Sequence, residues 1–180
     1  MPASRRLSQR ISEGDGIAII VHVGDAAAAR AAEQEGAKAV AVGGRIDGIR
    51  EATTLPLLWV GPGSPEDADA VTLRPGDDHH GGPACEPVVD VRDEDDVELA
   101  LGRLDPEIFL LSAEGADDGD DPLDAVLELL PDVPAGKLAI AEVAVTSRDE
   151  VLALERAGVD AVLVPAGPVA MLVGERPPDV

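Results

Sequence analysis

The chain has 180 residues, 45% of them hydrophobic, and a formal net charge of −22. That length suits one domain with its own core, and the charge argues against a nucleic-acid backbone or an anionic membrane surface as partner. One Phe, one Trp and no Tyr leave the core to Val, Leu, Ile and Ala, which suits parallel strands buried on both faces and offers little aromatic surface for stacking.

Residues 1–16 read as an N-terminal extension or helix, basic but without the apolar stretch of a secretory signal. From residue 17 onward, apolar runs of strand length alternate with helical or polar stretches. "IAIIVHV" (17–23) precedes an Ala-rich helix at 25–35. "AVAV" (39–42) precedes a short helix near 46–52. "LPLLWV" (55–60) and "AVTL" (70–73) follow, and the Pro- and Gly-rich segments 61–69 and 74–86 leave at most one helical turn for the third unit and none for the fourth. "PVVDV" (87–91), "EIFLLS" (107–112) and "KLAIAEV" (137–143) are each paired with a helix, near 94–104, 122–130 and 148–157. "DAVLV" (160–164) leads to a last helix near 169–174.

Eight such units predict a single compact (β/α)8 TIM barrel over 17–180, with shortened third and fourth helices; an open doubly wound sheet is the alternative. An internal repeat supports the barrel. "AEQEGAKAVAV" (32–42) and "LERAGVDAVLV" (154–164) share a helix end, a glycine and an Ala-Val-x-Val strand. Gly36 and Gly158 suit the left-handed position that ends a helix. Ser147 and Glu150 have the spacing of a capping box.

Other features bound the function. Only two lysines occur, Lys38 and Lys137. Many acids and few lysines fit a salt-adapted cytoplasm, where ions screen the surface, or a generic acidic protein of a GC-rich genome. The single cysteine, Cys85, has no internal disulfide partner. No apolar run is long enough to span a membrane, so the expected location is the cytoplasm.

Barrel active sites lie at the C-terminal ends of the strands. The polar residues expected there are His22 with Gly24, Gly43 and Gly44, Trp59, Arg74, Asp90 and Arg92, Ser112 and Glu114, and Glu142. His22, Asp90 and Glu142 interrupt apolar runs, where a polar group is costly unless paired. Together they could form an acid–base set, or they could satisfy one another structurally. Arg74 and Arg92 could hold an anion, surface ion pairs being the competing reading. Gly43 and Gly44, in "GGRIDG" (43–48), could approach a phosphate or form a tight turn. "DDHH" (77–80) with Cys85 has metal-ligand residue types without zinc spacing. "ADDGDD" (116–121) lacks the calcium-loop pattern. Both read as solvated loops, and no metal or cofactor is implied.

"LLPDVPAGKLAIAEVAVTSRDEVLALERAGVDAVLV" (129–164) resembles the seventh and eighth units of indole-3-glycerol phosphate synthase, which read A-E-S-G-I, T-R-x-D-V and A-G-x-D-A-V-L-V-G. "VVDVRDEDDVELAL" (88–101) is similar to that family's fifth unit, and "EGAKAVAV" with "LPLL" to its second and third. The match covers roughly half of the chain in the same order of units. Related ribulose-phosphate-binding barrels share the eighth-unit motif. The resemblance implies a lyase or isomerase of tryptophan biosynthesis type, acting on a small phosphorylated metabolite. It implies a role for Glu142 in stabilising an intermediate and for Asp90 in proton transfer.

The departures concern the chemistry. Where the family has mouth lysines, this chain has His22 and Gly24 on the first strand and Val60 on the third. Asn-Asn-Arg on the sixth strand becomes Ser112-Ala113-Glu114. The phosphate loops become Val143-Ala144 and Pro165-Ala166, and proline has no N–H to offer a phosphate. Three readings follow. The chain could be a barrel without the lysine-dependent ring closure that binds a small anionic metabolite or a protein. It could be an active lyase or isomerase using His22, Asp90 and Glu142, with Arg74 or Arg92 on the anion. Or it could be an interaction protein whose short fourth unit exposes a sheet edge.

Overall fold

The structure, a computed structural model, describes residues 6–62, 67–79, 84–114 and 119–174. Eight parallel strands run in sequence order, and the eighth pairs with the first: β1 (Ala18–His22), β2 (Ala39–Val42), β3 (Leu57–Trp59), β4 (Ala70–Leu73), β5 (Glu86–Val91), β6 (Ile108–Ser112), β7 (Leu138–Glu142) and β8 (Ala161–Val164). This closed barrel rules out the open doubly wound sheet. It also rules out the exposed edge expected at the fourth unit, because β4 pairs with β3 and with β5.

The helices are α1 (Leu7–Ser12), α2 (Ala26–Gln34), α3 (Ile49–Ala52), α4 (Glu94–Arg103), α5 (Pro122–Leu129), α6 (Arg148–Ala157) and α7 (Ala170–Val173). Among the described residues no helix lies between β3 and β4 or between β4 and β5. The starts of α2, α4, α5 and α6 are capped by N-cap side chains. Asp25, Asp93 and Asp121 accept from the amides of Ala28, Asp96 and Leu123, and Ser147 with Glu150 forms the expected capping box. Gly158 ends α6 at φ 104°, and Gly36 follows α2 at φ 100°, a backbone that other residues enter only with strain. Helix α3 is shorter than its sequence pattern because Gly48, at φ 74°, breaks the chain just before Ile49.

Strand alternation divides the core into two layers. Ala18, Ile20, Ala39, Ala41, Leu58, Ala70, Val88, Ile108, Leu110, Ile140, Ala161 and Leu163 face the interior. Alanines on β1, β2, β4 and β8 interleave with larger aliphatic side chains, so a narrow interior fills without an aromatic residue. Ile19, Val21, Val40, Val42, Trp59, Val89, Phe109, Leu111, Val162 and Val164 belong to the outer layer with helix residues such as Val97, Val126, Val151 and Leu154.

At the N-terminal end of the barrel, Leu7 and Ile11 of α1 join the inner cluster. Ser8 donates its backbone N–H to Glu86 Oε1 at 3.3 Å and its hydroxyl to Glu86 Oε2. The helix therefore closes the floor of the barrel, and the opposite end is the mouth.

Candidate active site at the barrel mouth

The same alternation that buries Ile20, Val88, Leu110 and Ile140 turns His22, Asp90, Ser112 and Glu142 inward two residues later, at the C-terminal ends of their strands. Ser112 and Glu142 are directly paired across β6 and β7. Arg74, Arg92 and Glu114 follow in the next turn of chain beyond β4, β5 and β6.

Ion pairs join Arg74, Asp90, Arg92 and Glu114. Arg74 Nη1 donates to the Asp90 carbonyl oxygen at 2.9 Å and lies 3.5 Å from Asp90 Oδ2. Arg74 Nη2 donates to Asp96 Oδ2 at 2.8 Å. Arg92 Nη2 lies 3.4 Å from Asp90 Oδ2 and also donates to Glu114 Oε2. Asp96 Oδ2 accepts the Arg92 backbone N–H at 3.0 Å as well. Asp96 thus pins both arginine-bearing loops. Sequence reading missed it inside the acidic start of α4, although its position four residues after Arg92 was a usable signal. Thr72, another inward residue of β4, donates its hydroxyl to the Trp59 carbonyl at 3.2 Å.

Two polar atoms in this network are buried without a partner, Asp90 Oδ1 and Arg92 Nε. The Glu142 carboxyl makes no hydrogen bond or ion pair with the described residues, while its backbone stays in the β6–β7–β8 ladder. Burial pushes the Asp90 carboxyl above its usual range, against the pull of Arg74 and Arg92. Burial also pushes Glu142 up, aided by the charges of Asp90 and Glu114 and opposed by Arg92. His22 is lowered by burial, which favours its neutral form. Raised carboxyls and a neutral imidazole at one barrel end are groups of the kind that act as general acids and bases.

Not every expected residue joins this group. Trp59 faces outward, because alternation gives the inward position on β3 to Leu58. With Gly44, Ile46 and Ile49 it lines a cavity of about 200 Å³ on the barrel flank. Gly43 approaches the Val60 carbonyl, where an added Cβ would lie 3.6 Å away. Among the described residues no three His, Cys, Asp or Glu are placed to hold a metal ion. His80 and residues 116–118 of the two polar loops lie outside the described residues.

Cations and amides that commonly hold phosphate are engaged elsewhere. Lys38 precedes β2 and Lys137 precedes β7, so both lie at the floor end, where Lys137 Nζ pairs with Asp105 at 2.7 Å. The loop after β8 and a short helix following it often cradle phosphate in barrels. Here the amides of Val169 and Ala170, at the start of α7, donate instead to Glu35 Oε2, at 2.6 and 3.2 Å.

Comparison with known proteins places the architecture. No protein-family model matches the sequence, and no curated protein does. Among solved structures, N-acetylmannosamine-6-phosphate 2-epimerase from Clostridium perfringens is similar with a TM-score of 0.64 and 15% identity, covering 86% of this chain and 87% of that one. The fold is that of the TIM barrels. (S)-3-O-geranylgeranylglyceryl phosphate synthase from Thermoplasma acidophilum, in complex with sn-glycerol-1-phosphate, gives a TM-score of 0.60 and 14% identity over 93% of this TIM barrel and 97% of the synthase. At these identities the likeness concerns the fold.

Proposed function

We propose that this chain is a divergent barrel of the ribulose-phosphate-binding kind, with an indole-3-glycerol phosphate synthase-like layout, that binds a small metabolite at its mouth and has no lysine-dependent ring-closing activity. One observation carries the reading. Asp90, Glu142, Arg74 and Arg92 converge at the C-terminal mouth, whereas both lysines of the chain belong to the opposite end. The mouth is where barrels hold ligands, and Asp90 Oδ1 and Arg92 Nε there are buried without a protein partner. The names of the two similar structures, which carry phosphate esters, support a metabolite of sugar-phosphate size. The test is turnover of 1-(2-carboxyphenylamino)-1-deoxyribulose 5-phosphate by purified protein. The expected result is none above background. Turnover would overturn the reading.

The second reading is an active lyase or isomerase on a phosphorylated sugar-derived substrate. Its support is the raised carboxyls of Glu142 and Asp90 together with His22 held neutral, a set suited to moving protons. Under this reading Glu142 and Asp90 exchange protons with substrate, His22 assists, and Arg74 or Arg92 orients the substrate beside Ser112 and Glu114. Activity on a panel of sugar phosphates that disappears in Glu142→Gln would establish it.

A further inference from the structure

Alternation puts Leu57 and Trp59 on the outer face of β3, where a barrel strand is ordinarily covered by the helix that follows it. Among the described residues no helix lies between β3 and β4, and α3, before β3, has only four residues. The cover consists of α3 and the segment 67–69. Arg50 ties the two together, with Nη1 2.8 Å from Asp69 Oδ2 and Nη2 donating to the Asp67 carbonyl. Asp69 Oδ2 also accepts the Leu57 backbone N–H at 2.8 Å. This thin cover leaves the flank cavity of about 200 Å³ unfilled.

The inner wall of the cavity is apolar. Val42, Ile49, Leu57 and Trp59 line it, none more than 7% exposed. The outer wall is polar and carries the exposed Arg45–Asp47 ion pair. Strand carbonyls of the inner wall are engaged. Val42 accepts from the Val60 N–H, Leu57 from the Asp69 N–H and Trp59 from the Thr72 hydroxyl. Trp59 Nε1 differs. It is buried without an acceptor, the one such side-chain atom among the described residues that line the cavity. Native structures rarely leave a buried donor in that state.

Volume, wall and donor together define an occupant. A dry apolar cavity of about 150 Å³ takes a benzene-sized molecule, so this one suits a single ring with a small substituent. A charged group would be costly against the apolar inner wall. A water would need about two to four polar partners, and that wall is a poor source of them. The indole N–H can only donate, so the occupant must bring an acceptor. We propose that the barrel flank is a small-molecule site, separate from the mouth, for a neutral ring compound whose carbonyl or ether oxygen accepts from Trp59 Nε1.

Cyclohexanone and methylenecyclohexane, alike in shape and different in the acceptor oxygen, test the proposal on the full chain. The chain has a single tryptophan, so one indole N–H signal in NMR titrations reports on the site. Cyclohexanone is expected to move that signal downfield, saturably, with amide shifts at Val42, Ile49 and Leu57. Methylenecyclohexane is expected to cause no downfield move. Trp59→Phe keeps an aromatic ring and removes the donor. It should lower the affinity for cyclohexanone, relative to that for methylenecyclohexane, by about fivefold, as loss of one neutral hydrogen bond predicts. An indole signal that cyclohexanone leaves in place, or shifts confined to the mouth, would overturn the proposal. An affinity ratio unchanged in Trp59→Phe would overturn it as well. If that variant does not fold, the wild-type indole signal decides alone: a downfield move with the ketone and not with the hydrocarbon sustains the proposal, and any other pattern overturns it.

Discussion

At the residue scale, Glu142 joins stability to function. Its carboxyl is raised because burial and the charges of Asp90 and Glu114 disfavour the ionised form. A folded-state pKa above the unfolded value means the folded chain holds its proton more tightly. Stability contributed by this group is therefore fully present below the unfolded pKa, about 4.3, and is lost as pH rises through the higher folded value. Glu142→Gln should accordingly raise Tm at pH 7, and the gain should vanish near pH 4. Thermal unfolding across that range checks it, and a destabilised variant at pH 7 would mean that Glu142 makes a favourable contact as an anion. Arg92 has the opposite role. Its removal leaves Asp90 with one cationic neighbour fewer and Glu114 without its guanidinium partner. Arg92→Met should cost about 1–3 kcal/mol at pH 7 in denaturant titrations, the penalty for a partly buried charged group left unsatisfied. It should also move the Asp90 and Glu142 carboxyls further up, as ¹³C-detected NMR titration would show.

At the element scale, local chemistry decides where each unit starts and stops. The Ser147 hydroxyl accepts the Glu150 amide, while the Glu150 carboxylate accepts the amides of Thr146 and Ser147. Ser147→Ala should cost about 1 kcal/mol, measured by urea unfolding. Phe109, the largest of the fully buried side chains, packs in the outer layer, and Phe109→Ala should cost about 3–5 kcal/mol. These are the elements whose signals are written locally. A cap, a glycine and a continuous apolar run of strand length suffice to recognise α6, Gly158 and β8 from the sequence. The layered barrel follows from the count of such units. The mouth was legible only in part. Asp90 and Glu142 announced themselves by interrupting apolar runs. Asp96 did not, because its side-chain partner Arg74 lies 22 positions away and only the pairing of β4 with β5 brings the two together; its spacing from Arg92 was the one local signal. Trp59 was misassigned to the mouth for a related reason. A one-residue change of register exchanges the faces of a strand, and no local feature distinguishes Leu58 from Trp59 as the inward residue. The Glu35 carboxylate at the start of α7 was equally hidden, since 134 positions separate donor and acceptor.

At the scale of the whole molecule, the net charge of −22 over 180 residues sets an electrostatic background. Like charges across the surface repel, and added salt screens them with a Debye length that falls from about 30 Å at 0.01 M to about 3 Å at 1 M. Tm should therefore rise between low and molar KCl, and calorimetry that finds no rise would contradict a salt-adapted surface. The same background attracts cations everywhere, so preference at the mouth must be judged by matched ligands and by location.

The central claim is that the barrel mouth around Asp90 and Glu142 is a ligand site without lysine-dependent chemistry. Amide shift mapping with glucosamine, glucose and glucose 6-phosphate addresses it most directly. The account predicts saturable shifts clustered at residues 90–92, 112–114 and 142 with at least one of the three. Shifts confined to the barrel flank, or none at all, would contradict it.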